Sequence, residues 1–113
     1  MKPMSTVFLG IAMVCVATEA FGQSAAGPVN IQRIRTGWAS DAFAVESVGG
    51  TYLNPANCPV ADGYTTEIGA PGYNTYFSIV KMAFALGKPV TLIISVSSCS
   101  QSRPQIIGAY IDR

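Results

Sequence analysis

The spacing of apolar residues changes along the chain, and each change marks a boundary between elements. Val90, Leu92, Ile94 and Val96 alternate with Thr91, Ile93 and Ser95, the two-residue period of a strand whose faces meet different surroundings. Just upstream, Tyr76, Ile79, Val80 and Ala83 fall at i, i+3, i+4 and i+7, with Thr75, Ser78, Lys81 and Ala85 on the other side. That spacing predicts an amphipathic helix of about three turns. Asn74 is the expected N-cap, and Gly87 followed by Pro89 the expected stop.

Residues Val29 to Thr36 are rich in β-branched side chains and predict a first strand ending at Gly37. Ala42 to Val48 predicts a second, closed by the Gly49-Gly50 turn. Thr51 to Leu53 is expected to open a returning strand before Asn54 to Pro59 breaks it. A short third strand follows over Tyr64 to Ile68, after the Asp62-Gly63 turn, and a last one over Gln105 to Ile111. Ser24 to Pro28 reads as a mobile small-residue leader, and Ser97 to Pro104 as a polar loop. The order β-β-β-α-β-β defines a mainly β fold with one helix. A helix between the third and fourth strands of five is the connectivity of the OB-fold, a partly open Greek-key barrel, so a five-stranded OB-fold-like barrel is expected.

The N-terminal pattern belongs to export rather than to this fold. Lys2 precedes an uncharged apolar stretch, Thr6 to Ala17, and Ala20-Phe21-Gly22 supplies small residues around a cleavage point. Glu19 ends the apolar run before the roughly 20 residues that a membrane span requires. A signal peptide over residues 1–22 and a single domain over 23–113 are therefore expected, with a secreted or periplasmic location and no membrane span in the mature chain. An uncleaved anchor helix is the alternative. A lipid anchor at Cys15 is disfavoured by the bulky Val14 before it. Cys58 and Cys99 remain in the mature chain and are expected to form a disulfide. Closing that loop stabilises the fold by roughly 4 kcal/mol in the chain-entropy description.

Charge and chemistry then narrow the function. Charged residues make up 12% of the chain and the net charge is +1, about half the usual charged share. No basic block remains to follow a phosphate backbone, which argues against nucleic acid as a partner. The chain has no histidine, so the commonest general base is missing. Asp41, Glu46, Asp62, Glu67 and Asp112 form no close acid–base motif, the serines lie in no G-x-S-x-G, and no phosphate-binding loop occurs. A non-catalytic protein without cofactor or metal is expected. The binding candidates cluster at Arg35, Thr36, Trp38 and Asp41, beside Gly37. A flat ring flanked by hydrogen-bonding groups suits a sugar; the alternative for Trp38 is a place capping the core. Phe77 and Phe84, one heptad apart, are candidates for an oligomer interface, because the helix carries more apolar surface than one core-facing stripe needs.

Three stretches carry a family resemblance: Ile31 through Gly37 with Phe43-Ala44-Val45-Glu46, the helix Tyr76 to Leu86 running through Gly87-Lys88-Pro89-Val90 into Thr91 to Ser95, and the closing strand around Ile107-Gly108. In these the chain resembles the receptor-binding B subunits of AB-type pentameric bacterial toxins, in the pertussis-like and subtilase-cytotoxin-like branch. The resemblance implies an OB-fold, a homo-pentameric ring, a glycan or glycoprotein receptor and a separate A subunit as partner. The chain departs from that family at Ala44, where a cysteine is common, and it lacks a counterpart of the N-terminal segment that contributes to sialylated-glycan binding. The expectation is thus a secreted glycan- or receptor-binding module, the alternative a periplasmic or extracellular structural or inhibitor-type domain that binds another protein.

Overall fold

The computed structural model describes residues 23–37 and 41–113. The expected signal segment, Cys15 and Trp38 lie outside the described residues. Seven elements follow one another: β1 (Gln23–Val29), β2 (Ile31–Thr36), β3 (Ala42–Ser47), β4 (Tyr64–Glu67), α1 (Tyr73–Leu86), β5 (Val90–Ser100) and β6 (Arg103–Tyr110). The fold is mainly β with one helix, as its periodicity predicts. The strands form one six-stranded open sheet in the order β1-β5-β6-β4-β3-β2, which replaces the expected five-stranded OB-fold-like barrel. All neighbours pair antiparallel except β4 and β6, which run parallel through Thr65 and Gln105.

The sixth strand comes from the segment expected to be a mobile leader. Gln23, Ser24, Ala25 and Ala26 pair with Ser95, Ile94, Ile93 and Leu92 of β5. The register then shifts between Ala26 and Val29, where Gly27 has φ 126°. A Cβ on Gly27 would stand 2.8 Å from Val29 N and 2.9 Å from Val90 O, so only glycine lets β1 lie this close to β5. Pro28 is tolerated because β1 is an edge strand. Small side chains gave the segment no hydrophobic period; its strand conformation is dictated by the long partner.

Two other expectations change. Thr51 to Leu53 is not a strand: Ser47 N–H donates to the Tyr52 hydroxyl at 3.1 Å and Leu53 N–H to the Tyr64 hydroxyl at 2.8 Å, so side chains take the place of a ladder. The expected polar loop from Ser97 to Pro104 is instead a hairpin. Cys99 pairs with Pro104 and Ser100 with Arg103, around Gln101 and Ser102 at φ 50° and 67°. Two left-handed residues match the right-handed twist of the flanking strands. The helix starts two residues early: Gly72, not Asn74, is its N-cap, while Gly87 caps the other end at φ 67°. There Gly87 N–H donates to Phe84 O and Lys88 N–H to Ala83 O, a Schellman-type closure.

The core lies between α1 and the sheet. Tyr73, Tyr76, Val80 and Ala83 are the buried residues of α1, which pack with Phe43, Val45, Tyr64, Val90, Leu92, Ile94 and Ile106. Cys58 and Cys99 form the expected disulfide, with Cα atoms 5.8 Å apart. It ties the loop after β3 to the far end of β5. The bridge fits an oxidising compartment. Among the described residues, no helix is long and apolar enough to cross a membrane.

Candidate binding site

The site is built on the face of β2, β3 and β4 turned away from the main core. Register places Arg35 opposite Ala44, and Ala44 opposite Thr65, in one row across the three strands. The next row, Thr36, Phe43 and Thr66, has the opposite orientation by the pleat. Phe43 and Thr66 meet the helix, whereas Arg35, Ala44 and Thr65 belong to the other side. The small Ala44 at the centre of that row leaves a hollow.

Arg35, Ala44 and Thr65 of the first row, Thr36 and Phe43 of the second, and Gln101 and Arg103 line a half-enclosed pocket of about 220 Å³, so both rows border it. Two of the four sequence-predicted binding residues, Arg35 and Thr36, are therefore on its wall. Thr36 Oγ1 donates to Ala42 O at 3.0 Å. Asp41 is exposed and takes no part in the lining; its carbonyl accepts the Tyr73 hydroxyl at 3.1 Å. Trp38 lies outside the described residues. Thr65, Gln101 and Arg103 were not foreseen, because β4 and the β5–β6 turn reach this site only through the pairing order.

Both arginines are held by carboxylates that do not line the pocket. A register shift between Ile31 and Arg33 puts Arg33 opposite Glu46. Arg35 Nε lies 2.6 Å from Glu46 Oε2 and Arg33 Nη1 lies 3.5 Å from Oε1. Gly63 keeps this corner open: a Cβ there would stand 3.3 Å from Val45 O and 3.5 Å from Arg35 Nη2. Arg103 donates through Nε and Nη2 to the two oxygens of Asp62, a fork-to-fork pair, and through Nη1 to Gln101 O at 3.0 Å. The hydrogen bond from Arg103 holds the Asp62 carboxyl below its usual range, and the same bond raises Arg103. Each guanidinium is therefore oriented from behind by an acid.

Thr65 is the most informative lining residue. It is 1% exposed, and its Oγ1 is buried without a hydrogen-bond partner. Leaving a buried hydroxyl unsatisfied costs about 1–3 kcal/mol, so this atom marks a position where an incoming acceptor has something to gain. A second hollow, of about 410 Å³ between Glu67, Gly69, Cys99 and Gln105, is more open. Its Ser100 hydroxyl already donates to Glu67 at 3.4 Å, so its polar groups serve one another.

The two interface candidates differ in their placement. Phe77 is half-buried and stacks on Phe43, with ring centroids 3.9 Å apart and planes 11° off parallel. Lys81 Nζ covers the Phe77 ring at 4.7 Å. Phe84 stays 45% exposed, as do Met82 at 49% and Leu86 at 63%. Among the described residues, no group of three or more His, Cys, Asp or Glu side chains converges as metal ligands would. Compared with known proteins, the chain matches no family model, no curated protein and no solved structure.

Proposed function

We propose that the protein is exported and acts by binding, holding a terminal sugar of a cell-surface glycan or glycoprotein in the Arg35–Thr65–Arg103 pocket. The observation that carries this reading is the unpartnered buried hydroxyl of Thr65 in a hollow walled by two pre-oriented guanidinium groups. A volume of about 220 Å³ suits one small polar ring rather than an extended chain. Hydroxyl-rich ligands need donors and acceptors at fixed positions, and ion-paired arginines on strands supply the donors without first having to be ordered.

The likeness to toxin B subunits belongs to the same proposal. Only Asn30 separates β1 from β2, so one continuous run of chain supplies both ends of the sheet order. Taken as one bent strand, it leaves five strands with the helix between the third and fourth, an OB-like connectivity in an open sheet. The exposed Met82, Phe84 and Leu86 are the side chains of α1 that a ring of copies would cover.

A glycan array probed with the exported protein tests the binding reading. Retention on a subset of glycans, lost in Arg35→Ala and Arg103→Ala, is the expected result. No retention on any glycan, together with stoichiometric capture of another exported protein, would replace it with the protein-binding alternative. Light scattering on the same sample tests the assembly, and a monomer at micromolar concentration removes the ring.

A further inference from the structure

We infer that the Cys58–Cys99 disulfide is a redox clamp on the pocket wall: its reduction by a dithiol releases the tip of the β5–β6 hairpin, which carries Gln101 and Arg103. The inference rests on the binding reading of the same pocket and names what controls it.

The tip is set apart from the rest of the sheet. Ile94 pairs with Ile106, and the next pairs are Cys99 with Pro104 and Ser100 with Arg103. Between them β5 runs through Ser95 to Ser98 while β6 advances only through Gln105. The surplus folds around the Ser95 hydroxyl oxygen, which accepts from Ser97 N–H at 3.2 Å and from Ser98 N–H at 3.0 Å. Such a bulge interrupts the ladder and bends the strand, so the hairpin does not by itself fix its tip against the pocket.

The segment between β3 and β4 supplies what the hairpin lacks. Three ties join it to the tip: the Cys58–Cys99 bond, Val60 N–H donating to Ser102 O at 3.0 Å, and the Asp62–Arg103 pair. The Ser100 hydroxyl adds a longer contact to Glu67 of β4 at 3.4 Å. Only the disulfide is covalent. Its loop end is braced, with Asn54 Nδ2 donating to Cys58 O at 3.0 Å and Cys58 N–H donating to Asn54 Oδ1 at 2.8 Å. Once the bond opens, the hydrogen-bonded ties lose the proximity that it enforces. Gln101 and Arg103 line the pocket, so a loosened tip takes one wall away. Neither cysteine belongs to the core cluster around Phe43 and Ile106, so the release is local.

The two sulfurs differ in access. Cys58 is 5% exposed, whereas Cys99 is exposed and lines the open hollow of about 410 Å³. One thiolate of the dithiol therefore attacks Cys99 Sγ, breaking the S–S bond and expelling Cys58 as a thiolate that takes up a proton. The second thiol then displaces Cys99 Sγ, which is protonated in turn. Both cysteines end as thiols, and the dithiol is oxidised to a disulfide.

The test is hydrogen exchange followed by mass spectrometry on the exported protein, with and without dithiothreitol, with alkylation to show that Cys58 and Cys99 are reduced. Exchange at Val60 and across Ser100 to Arg103 is expected to quicken by about tenfold on reduction, while β3, β4 and α1 keep their protection. A double variant, Cys58→Ser with Cys99→Ser, is expected to show the same change without reductant. Retention on the glycan array is expected to fall on reduction and to return on reoxidation. Unchanged exchange at the tip, or a bridge that dithiothreitol leaves intact in the folded protein, overturns the clamp. Protection lost throughout the sheet overturns it as well and makes the bridge a staple of the whole fold. A loosened tip with undiminished retention overturns control of the pocket and leaves sugar binding standing. A loosened tip with no glycan retained by either form supports the clamp and overturns the sugar reading.

Discussion

The two faces of the β3–β4 pair are built to opposite rules. On the helix side, Phe43, Val45, Tyr64 and Thr66 are essentially inaccessible, and their polar atoms are matched. The Tyr76 hydroxyl donates to Ile106 O at 3.2 Å and shares a hydrogen bond with Thr66 Oγ1, while the Tyr64 hydroxyl accepts from Leu53 N–H. Phe43 sits within an aromatic group of Tyr73, Tyr76 and Phe77. On the other side, one residue along the same strands, stand Ala44, Thr65 and the paired Arg35. That face has a hollow, two guanidinium groups and an unmatched hydroxyl. Neighbouring residues thus face the core and the hollow separately, because the pleat sends them to opposite sides.

The contrast is easiest to break from the inner face. Phe43→Ala removes the ring that Tyr73, Tyr76 and Phe77 surround and is expected to cost about 3–5 kcal/mol. Urea unfolding followed by circular dichroism measures it. A loss below 1 kcal/mol would mean that this aromatic group is not the centre of the fold. Tyr76→Phe keeps the ring and deletes only its hydroxyl, stranding Thr66 Oγ1 and Ile106 O. About 1–3 kcal/mol is expected, read by the same titration, and an unchanged midpoint would show that those groups find other partners.

How far this division could be read in advance varies from element to element. The alternation from Val90 to Val96 and the i, i+3, i+4, i+7 spacing in α1 expose β5 and the helix directly, because burial on one side leaves a periodic trace. Gly87 marks the helix end for the same local reason: a left-handed residue is needed there. β1 leaves no such trace. Its small residues become a strand only because β5 is long enough to receive them. The candidate site is divided likewise. Arg35 and Thr36 are visible as the polar end of a strand beside Gly37. Thr65 and Arg103 lie far apart along the chain, and only the parallel pairing of β4 with β6 brings them to one hollow. Thr65 and Thr66 are chemically identical in the sequence; register alone gives one a partner and leaves the other without.

That pair of threonines supplies a sharper comparison. Thr65→Val deletes the unpartnered hydroxyl at constant shape, so the protein is expected to become more stable by about 1 kcal/mol. Thr66→Val removes a hydroxyl that Tyr76 uses and is expected to lose about 1 kcal/mol. Differential scanning calorimetry of both variants measures the opposite signs. Equal losses at the two positions would show that Thr65 also has a partner in solution, and the case for an incoming acceptor would weaken accordingly.

The smallest effect concerns the acid that orients Arg103. Asp62 has its carboxyl pKa depressed by the hydrogen bond from Arg103, yet its side chain is 57% exposed, so solvent screens the pair and its contribution stays within about 1 kcal/mol. Because the folded value is the lower one, the contribution is complete above the unfolded carboxylate range, near pH 4, and disappears as the pH falls through the folded value. Thermal midpoints of the protein and of Asp62→Asn are therefore expected to differ slightly at pH 7 and to converge below about pH 4. If the two curves run parallel down to pH 2, Asp62 is not held by Arg103 in solution, and the guanidinium on the pocket wall is not fixed from behind. Ligand binding by Asp62→Asn at pH 7 separates orientation from stability. A loosened Arg103 lowers affinity even where the midpoint has barely moved, whereas a purely structural pair would change the two together.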